Sequence, residues 1–397
     1  MVSTPSAPNI FANPELQSNP YGIYAFLRNT SPIFFLEEAG WILSKYADVE
    51  AILRDYRRFS SQIEIVRRER PPGMPEPAPT MLTTDPPLHT RLRGIVAKAF
   101  TPRMVAQMEP RIREIARELL DEIAEKDSFD LVGEFSGPLP VIVIAEMLGV
   151  PAADRAIFTR WSHEIVATVG GREDMDFSAA DAAGEEFRAY FSEIIEERKR
   201  NPREDLVTAL VRARDDAGAA LTQDELLAFC ILLLIAGNVT TTSLISNSMR
   251  AFLEHPDQMA ELTSDLSLLP VAMEEAMRYY SPFQMTGRRV VEDVQIREHT
   301  ITAGSDVALL IGAANRDEDI FENPENFDIH RQPNKHIAFG AGIHFCIGAP
   351  LARLEGRVAL EELLRRLPQA RRENDNPLEF IPAIFMNSLS HLELTTA

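Results

Sequence analysis

Twelve consecutive apolar or small residues, LLAFCILLLIAG from Leu226 to Gly237, set the first limit on what this chain can become. A bilayer span needs about 20 such residues. The shorter run is read as a helix buried in the core of a large folded protein. Helical spacing of apolar residues recurs elsewhere. In WILSKYADVEAILRD a short apolar strand at Trp41–Leu43 precedes a helix, and PRIREIARELLDEIAEK, Pro110–Lys126, reads as helix throughout. Strand signals are few: Gln295–Gly312 has the pattern of a hairpin, and LSHLELTT near the C-terminus that of a strand. The fold class is therefore mainly α with a small β region. By length, 397 residues would allow two or three domains. No internal repeat or clean linker divides them, so one domain over residues 1–397 is expected. Two stretches read as loops: Arg67–Thr80, rich in proline and charge, and Val169–Glu186, rich in small residues.

Charge and cysteine content exclude several function classes. The chain carries 40 basic and 60 acidic residues, a net charge of −20, which disfavours binding to nucleic acid or to an anionic membrane surface. Its two cysteines, Cys230 and Cys346, cannot form a disulfide framework. The N-terminal MVSTPSAPNIFANPE lacks the charged and apolar regions of a secretion signal. A cytoplasmic protein without a membrane anchor is expected.

Cys346 sits in FGAGIHFCIGAP, Phe339–Pro350, among glycines and apolar neighbours. A strongly amphipathic stretch follows, with Leu351, Leu354 and Val358 on one face. A cysteine just before a helix meets backbone N–H groups that have no intrahelical partner, and these favour thiolate over thiol. Gly340, Gly342 and Gly348 let the backbone turn tightly and let a flat partner approach. A single soft thiolate without a CxxC companion argues against zinc or an iron–sulfur cluster and for haem, which takes one ligand from this side. On these grounds alone a buried structural cysteine stays open.

The pattern Phe339-Gly-x-Gly-x-His344-x-Cys346-x-Gly348 resembles the haem-binding loop of the cytochrome P450 family, with every constrained position filled. The resemblance implies a haem b whose axial thiolate is Cys346, held in a loop over residues 339–348 that includes Gly340, with Phe339 packing beside the sulfur. Glu275 and Arg278 in VAMEEAMRYYSP match the family's ExxR pair, and Arg331 in FDIHR matches the arginine that completes its buried network. The same spacing starts at Glu64, Glu114, Glu185, Glu197 and Glu362, so order along the chain, not spacing, selects Glu275. His89 and Arg93, one turn apart, match positions that bind the haem propionates, as do Arg288 and His344.

Residues 222–254 resemble the long distal, oxygen-binding helix. There Gly237 and the threonines after it can open the helix locally, and Thr240 matches the threonine used in oxygen activation. The sequence departs from the family one residue earlier. An Asp or Glu is usual there and is linked to proton delivery, whereas this chain has Val239, with Asn238 about 100° away around the helix. Ala236, Phe283, Met285, Ile384 and Phe385 match positions that line the substrate pocket.

The resemblance implies a single triangular domain of cytochrome P450 fold. It implies a monooxygenase that inserts one oxygen atom from O2 into a small apolar organic substrate by hydroxylation or epoxidation. No GxGxxG opens a βαβ unit, so electrons are expected from a separate ferredoxin or flavodoxin with its NAD(P)H reductase. Arg93, Lys98, Arg103, Arg353 and Arg357 offer a basic face for such a donor. A monomer is expected. Val239 keeps two rivals in view: a peroxide-driven peroxygenase or other atypical P450 reaction, and a non-catalytic haem-thiolate sensor.

Overall fold

The computed structural model describes residues 19–37, 39–63, 78–166, 176–374, 376–381, 383 and 385–396. It is 55% helical, so helix outweighs strand. In chain order the principal helices are α1 Tyr21–Thr30, α2 Tyr46–Arg54, α3 Leu88–Ala99, α4 Glu109–Ile123, α5 Pro138–Met147, α6 Arg155–Val166, α7 Ser178–Arg200, α8 Gln223–Glu254, α9 Leu269–Tyr279 and α10 Ala349–Arg366. Prolines stand in the first turns of α5, α9 and α10, where a missing N–H costs nothing. Pro350 thus starts α10 just beyond the cysteine loop, and Arg365 and Arg366 in its last turn complement the helix dipole.

Contacts group these elements into two compact units, each discontinuous in sequence. The first takes its described residues from 1–63, 243–346 and 368–395. It holds the strands β1 Ile33–Leu36, β2 Gly40–Leu43, β3 Phe59–Ser60, β4 Met285–Val290, β5 Val294–Ile296, β6 His299–Ile301, β7 Asp306–Leu310, β8 Arg371–Arg372 and β9 Glu393–Thr395. A five-stranded sheet has the order β1-β2-β7-β4-β3, antiparallel except for β2 beside β7. Strands β5 and β6 form a two-residue-turn hairpin, and β9 pairs antiparallel with β8. The hairpin expected over Gln295–Gly312 is therefore confined to β5 and β6. Its last third, β7, leaves to pair with β2 and β4. The local alternation marked a strand correctly, but its partner β2 lies more than 250 residues away, beyond the reach of a local pattern.

Apolar residues from this sheet, from α2 and from the cysteine loop share one core. Leu43, Val49, Leu53, Val307 and Leu309 pack with Ile337 and Ala341. The second unit takes residues from 64–242, 347–367 and 396–397. In it α6 and α7 meet through Phe158, Trp161, Phe187 and Phe191, the last two stacked at 4.3 Å, and α4 packs along α10. Here the expected loop over Val169–Glu186 is corrected. From Ser178 onward it is the first turns of α7, because the alanines that look loop-like are the strongest helix formers. Residues 169–175, and most of the Arg67–Thr80 loop, lie outside the described residues.

Helix α8 contributes to both units. Its 32 residues are long and apolar enough by length and composition to cross a membrane, with a mean hydropathy of 1.9 over its best window. Several of its buried polar side chains nonetheless bond within their own units: Asn238 bonds Ser162, Ser243 bonds Ser388, and Asn247 donates to the carbonyls of Tyr280 and Asn387. A protein core requires this of buried polar groups.

The first unit is organised by one buried charge. Glu275 and Arg278 on α9 form a bidentate pair, 2.7 Å at each contact, with both side chains fully buried. Arg331 adds a bond to Glu275 at 3.1 Å. The carboxylate also accepts from the Asp328 amide at 3.0 Å and the Asn334 side chain at 3.1 Å. Arg278 donates onward to the carbonyls of Asn315, Pro324 and Asn326, and Arg331 to those of Glu322, Asn323 and Asn326. Burial pulls the Arg278 guanidinium below its ordinary value and Glu275 pulls it back. The same spacing at Glu362 and Arg365 gives only a 3.6 Å contact with a half-exposed arginine. Arg278→Met, which strands Glu275 in the interior, is expected to cost about 3–5 kcal/mol. Arg365→Met is expected to cost below about 1 kcal/mol. Denaturant midpoints measure both, and equal small losses would show that the buried pair organises nothing.

Candidate haem site

The cysteine loop is fastened at both ends before it reaches the sulfur. Ile337 and Ala341 are anchored in the core, the Gly340 amide bonds the Ile337 carbonyl at 2.8 Å, and the Cys346 amide bonds the Phe339 carbonyl at 2.9 Å. Gly340 and Gly342 both adopt left-handed φ, 71° and 69°. A Cβ on Gly342 would lie 2.5 Å from the Leu53 carbonyl oxygen at the end of α2, so both conformation and space demand glycine there. At Gly340 only the conformation does: the nearest atom to a Cβ would be the His344 oxygen, 4.0 Å off. The loop's backbone is thereby left open at Gly340. Phe339 and Cys346 are half-buried, and Phe345 is exposed.

The two cysteines differ in the way that decides ligation. Cys230, inside α8, is buried, and burial alone pushes its thiol up to about 12, which keeps it a neutral thiol. Cys346 is partly accessible in a turn made by glycines. Around it this unit offers cationic and hydrogen-bonding side chains. Arg288, on β4 opposite Val307, is buried and bonds its neighbour's carbonyl at 2.6 Å. His344 Nε2 lies 2.9 Å from the hydroxyl of Ser61. One soft sulfur, an open glycine backbone and cationic groups for carboxylates form a donor set that fits haem. Ser61 carried no signal in the sequence, because its partner is 283 residues away.

The second unit carries the remaining expected residues. On α3, His89 is buried and Arg93 half-buried, one turn apart on a shared face. On α8, Ala236 is exposed, between the buried Leu234 and Asn238 on a stretch that is otherwise half-buried. The helix runs unbroken through Gly237 and Thr240, which differs from the local opening expected there. The reason is visible at both residues. The Thr240 hydroxyl donates to the Ala236 carbonyl at 2.6 Å without displacing the helix, and a Cβ on Gly237 would lie 2.7 Å from Ile144 Cδ1 of α5. Gly237 thus serves close helix packing. Asn238 is buried, donates to Ser162 at 2.6 Å and accepts from Thr242 at 3.3 Å. Val239 is half-buried.

Among the pocket residues, Phe283 and Phe385 face one another at 5.9 Å, beside a backbone bridge between Phe283 and Met386. Met285 is half-buried at the start of β4. Ile384 lies outside the described residues.

Comparison with known proteins agrees with this geometry. Residues 174–390 match the family profile described as Cytochrome P450. The chain is 45% identical to CYP109Q5 from Chondromyces apiculatus, whose structure superposes over 97% of both chains with a TM-score of 0.89. It is 39% identical to CYP109E1 from Bacillus megaterium, solved in complex with testosterone, over 95% of this chain and 99% of that one with a TM-score of 0.87. It is 40% identical to the 6-deoxyerythronolide B hydroxylase of Saccharopolyspora erythraea over 89% of this chain and 91% of that protein. The chain thus belongs to the cytochrome P450 family: it is a haem monooxygenase with a cysteine thiolate as the axial ligand and O2 as co-substrate.

Proposed function

We propose that this P450 inserts one oxygen atom of O2 into a C–H or C=C bond of a small apolar organic molecule, the other atom leaving as water at the expense of two electrons and two protons. The observation that carries this reading is the geometry at Cys346, the half-buried cysteine placed in a turn made by left-handed glycines. The haem supplies the oxygen-activating redox chemistry, and the chain's residues hold it, exclude water and orient the substrate. Cys346 is the thiolate, with Phe339 beside it and Gly340 leaving the backbone open. Arg288 and His344 of the first unit would bond the haem carboxylates, the role the family resemblance also gives His89 and Arg93 of the second. Phe283, Met285 and Phe385 of the first unit would line an apolar substrate pocket, the role the family resemblance also gives Ala236 and Ile384. The steroid bound to CYP109E1 and the hydroxylation in the name of the erythronolide enzyme support an apolar, polycyclic or macrocyclic class of substrate.

Electrons come from a separate ferredoxin or flavodoxin, reduced by an NAD(P)H-dependent partner. Arg93, Lys98, Arg103, Arg353 and Arg357 form its docking face. That face is partly neutralised already. Lys98 pairs with Asp216 at 2.8 Å, and Arg357 with Glu109 at 2.7 Å and Glu361 at 3.4 Å, so docking rests on weaker, salt-sensitive steering. The enzyme acts as a cytoplasmic monomer, with residues 1–397 as one catalytic domain.

Val239 favours a second reading. Valine cannot carry a proton, and Asn238 is engaged with Ser162 and Thr242. Hydrogen peroxide, which brings its own oxygen, electrons and protons, would bypass the missing acid.

Two outcomes test these readings. Cys346→Ser is expected to abolish the thiolate-type absorbance of the reduced carbon-monoxide complex while Cys230→Ser keeps it; an unchanged Cys346→Ser spectrum would remove the ligand assignment. Positioned general acids contribute about 10²–10⁴-fold to proton transfer, so Val239→Glu is expected to raise product formed per NAD(P)H consumed by about twofold or more. Unaltered coupling, together with wild-type turnover on peroxide alone, would favour the peroxide-driven reaction.

A further inference from the structure

Before the haem loop, His336 and Ile337 are pinned by side chains from elsewhere in the same unit, and Ala338 by His336 itself. The Ile337 amide donates to Asn315 Oδ1 at 2.8 Å, and Asn315 is itself held by Ser281 and, through its carbonyl, by Arg278. His336 supplies the second anchor. Its Nδ1 lies 3.2 Å from the Ala338 amide, and its Nε2 lies 2.9 Å from Glu274 Oε2. A backbone N–H can only donate, so Nδ1 carries a lone pair. Nε2 then carries the hydrogen and donates it to the carboxylate. The His336 side chain is 3% exposed and Glu274 is 29% exposed, so the pair is shielded on the histidine side.

We propose that His336 is a positioning residue for the haem-thiolate loop: Glu274 fixes its tautomer, and through the Ala338 amide it sets the backbone that receives Cys346. The connection is short. Ala338 precedes Phe339, whose carbonyl accepts from the Cys346 amide at 2.9 Å, and the His336 and Phe339 rings stand 6.4 Å apart. Glu274 adjoins Glu275, so neighbouring carboxylates of α9 grip the same approach segment, one at Asp328 and Asn334 and the other at His336. An apolar side chain of equal size could fill the space. It could not accept from Ala338 and donate to Glu274 together.

This inference rests on Cys346 as the haem ligand, and the wild-type spectrum separates the two. A wild-type protein whose reduced carbon-monoxide complex shows no thiolate-type band refutes the ligand, whatever His336 does. With that band present, three variants of the haem-loaded protein test His336. His336→Phe keeps the volume and loses both bonds. His336→Asn keeps an acceptor near the Nδ1 position. His336→Gln keeps a donor near Nε2. Leaving a buried N–H unpaired is expected to lower the ratio of thiolate-type to thiolate-lacking band about tenfold in His336→Phe. His336→Asn is expected to recover most of the loss, and His336→Gln little. Should His336→Phe not take up haem, Glu274→Leu replaces it, and an intermediate loss is expected because the ring is then free to flip. A wild-type ratio in His336→Phe or Glu274→Leu overturns the proposal, as does a loss in His336→Asn equal to that in His336→Gln.

Discussion

A carboxylate without access to water, Glu275, is the constraint from which the first unit is built. Left alone it would be several kcal/mol too costly to bury. It is tolerated because two arginines, an amide and an asparagine surround it, and because Arg278 and Arg331 pass their remaining N–H groups to backbone carbonyls between Asn315 and Asn326. Those carbonyls belong to a segment that is neither helix nor strand, where the arginines supply bonds that a ladder would otherwise supply. Charge and irregular backbone satisfy each other. The stretch from Asn315 to Asn326 is held for that reason rather than through hydrogen-bond ladders.

Rigidity upstream is what lets the cysteine turn be so thin. Residues 339–346 make few backbone bonds of their own, and two glycines sit in conformations other residues avoid. Such a turn holds a single shape only if its flanks are fixed. Ile337 and Ala341 fix it from the apolar side, Asn315 and His336 from the polar side, and the end of α2 closes against Gly342. The accessible sulfur of Cys346 and the buried thiol of Cys230 show how placement alone separates a ligand from a core residue.

Much of this was legible in the sequence because it is local. The glycine spacing around Cys346, the amphipathic α10 behind Pro350 and the apolar run within α8 are each continuous stretches of sequence, and Glu275–Arg278 is singled out by its order before Arg331 and Cys346. What could not be read is what depends on distant partners. Ser61 beneath His344, Ser162 beside Asn238 and Asn315 at the loop amide have no mark in their own neighbourhoods. Strand β7 was visible, but its place beside β2 was not. Ser178–Glu186 failed differently. Small residues are common in loops, yet alanine favours helix whenever nothing interrupts it.

The distal stretch of α8 joins both lessons. Its glycine and threonines could either open a helix or pack it, and spacing cannot choose between these. Ile144 chooses for Gly237, since its methyl occupies the place a Cβ would need. Thr240 keeps its hydroxyl hydrogen on the Ala236 carbonyl at 2.6 Å, so toward its open side it presents lone pairs. In that geometry the hydroxyl accepts a hydrogen bond and does not deliver a proton. Val239 beside it has no proton to give, and the Asn238 amide is spent on Ser162. No side chain from 236 to 240 is therefore poised as an acid in this geometry.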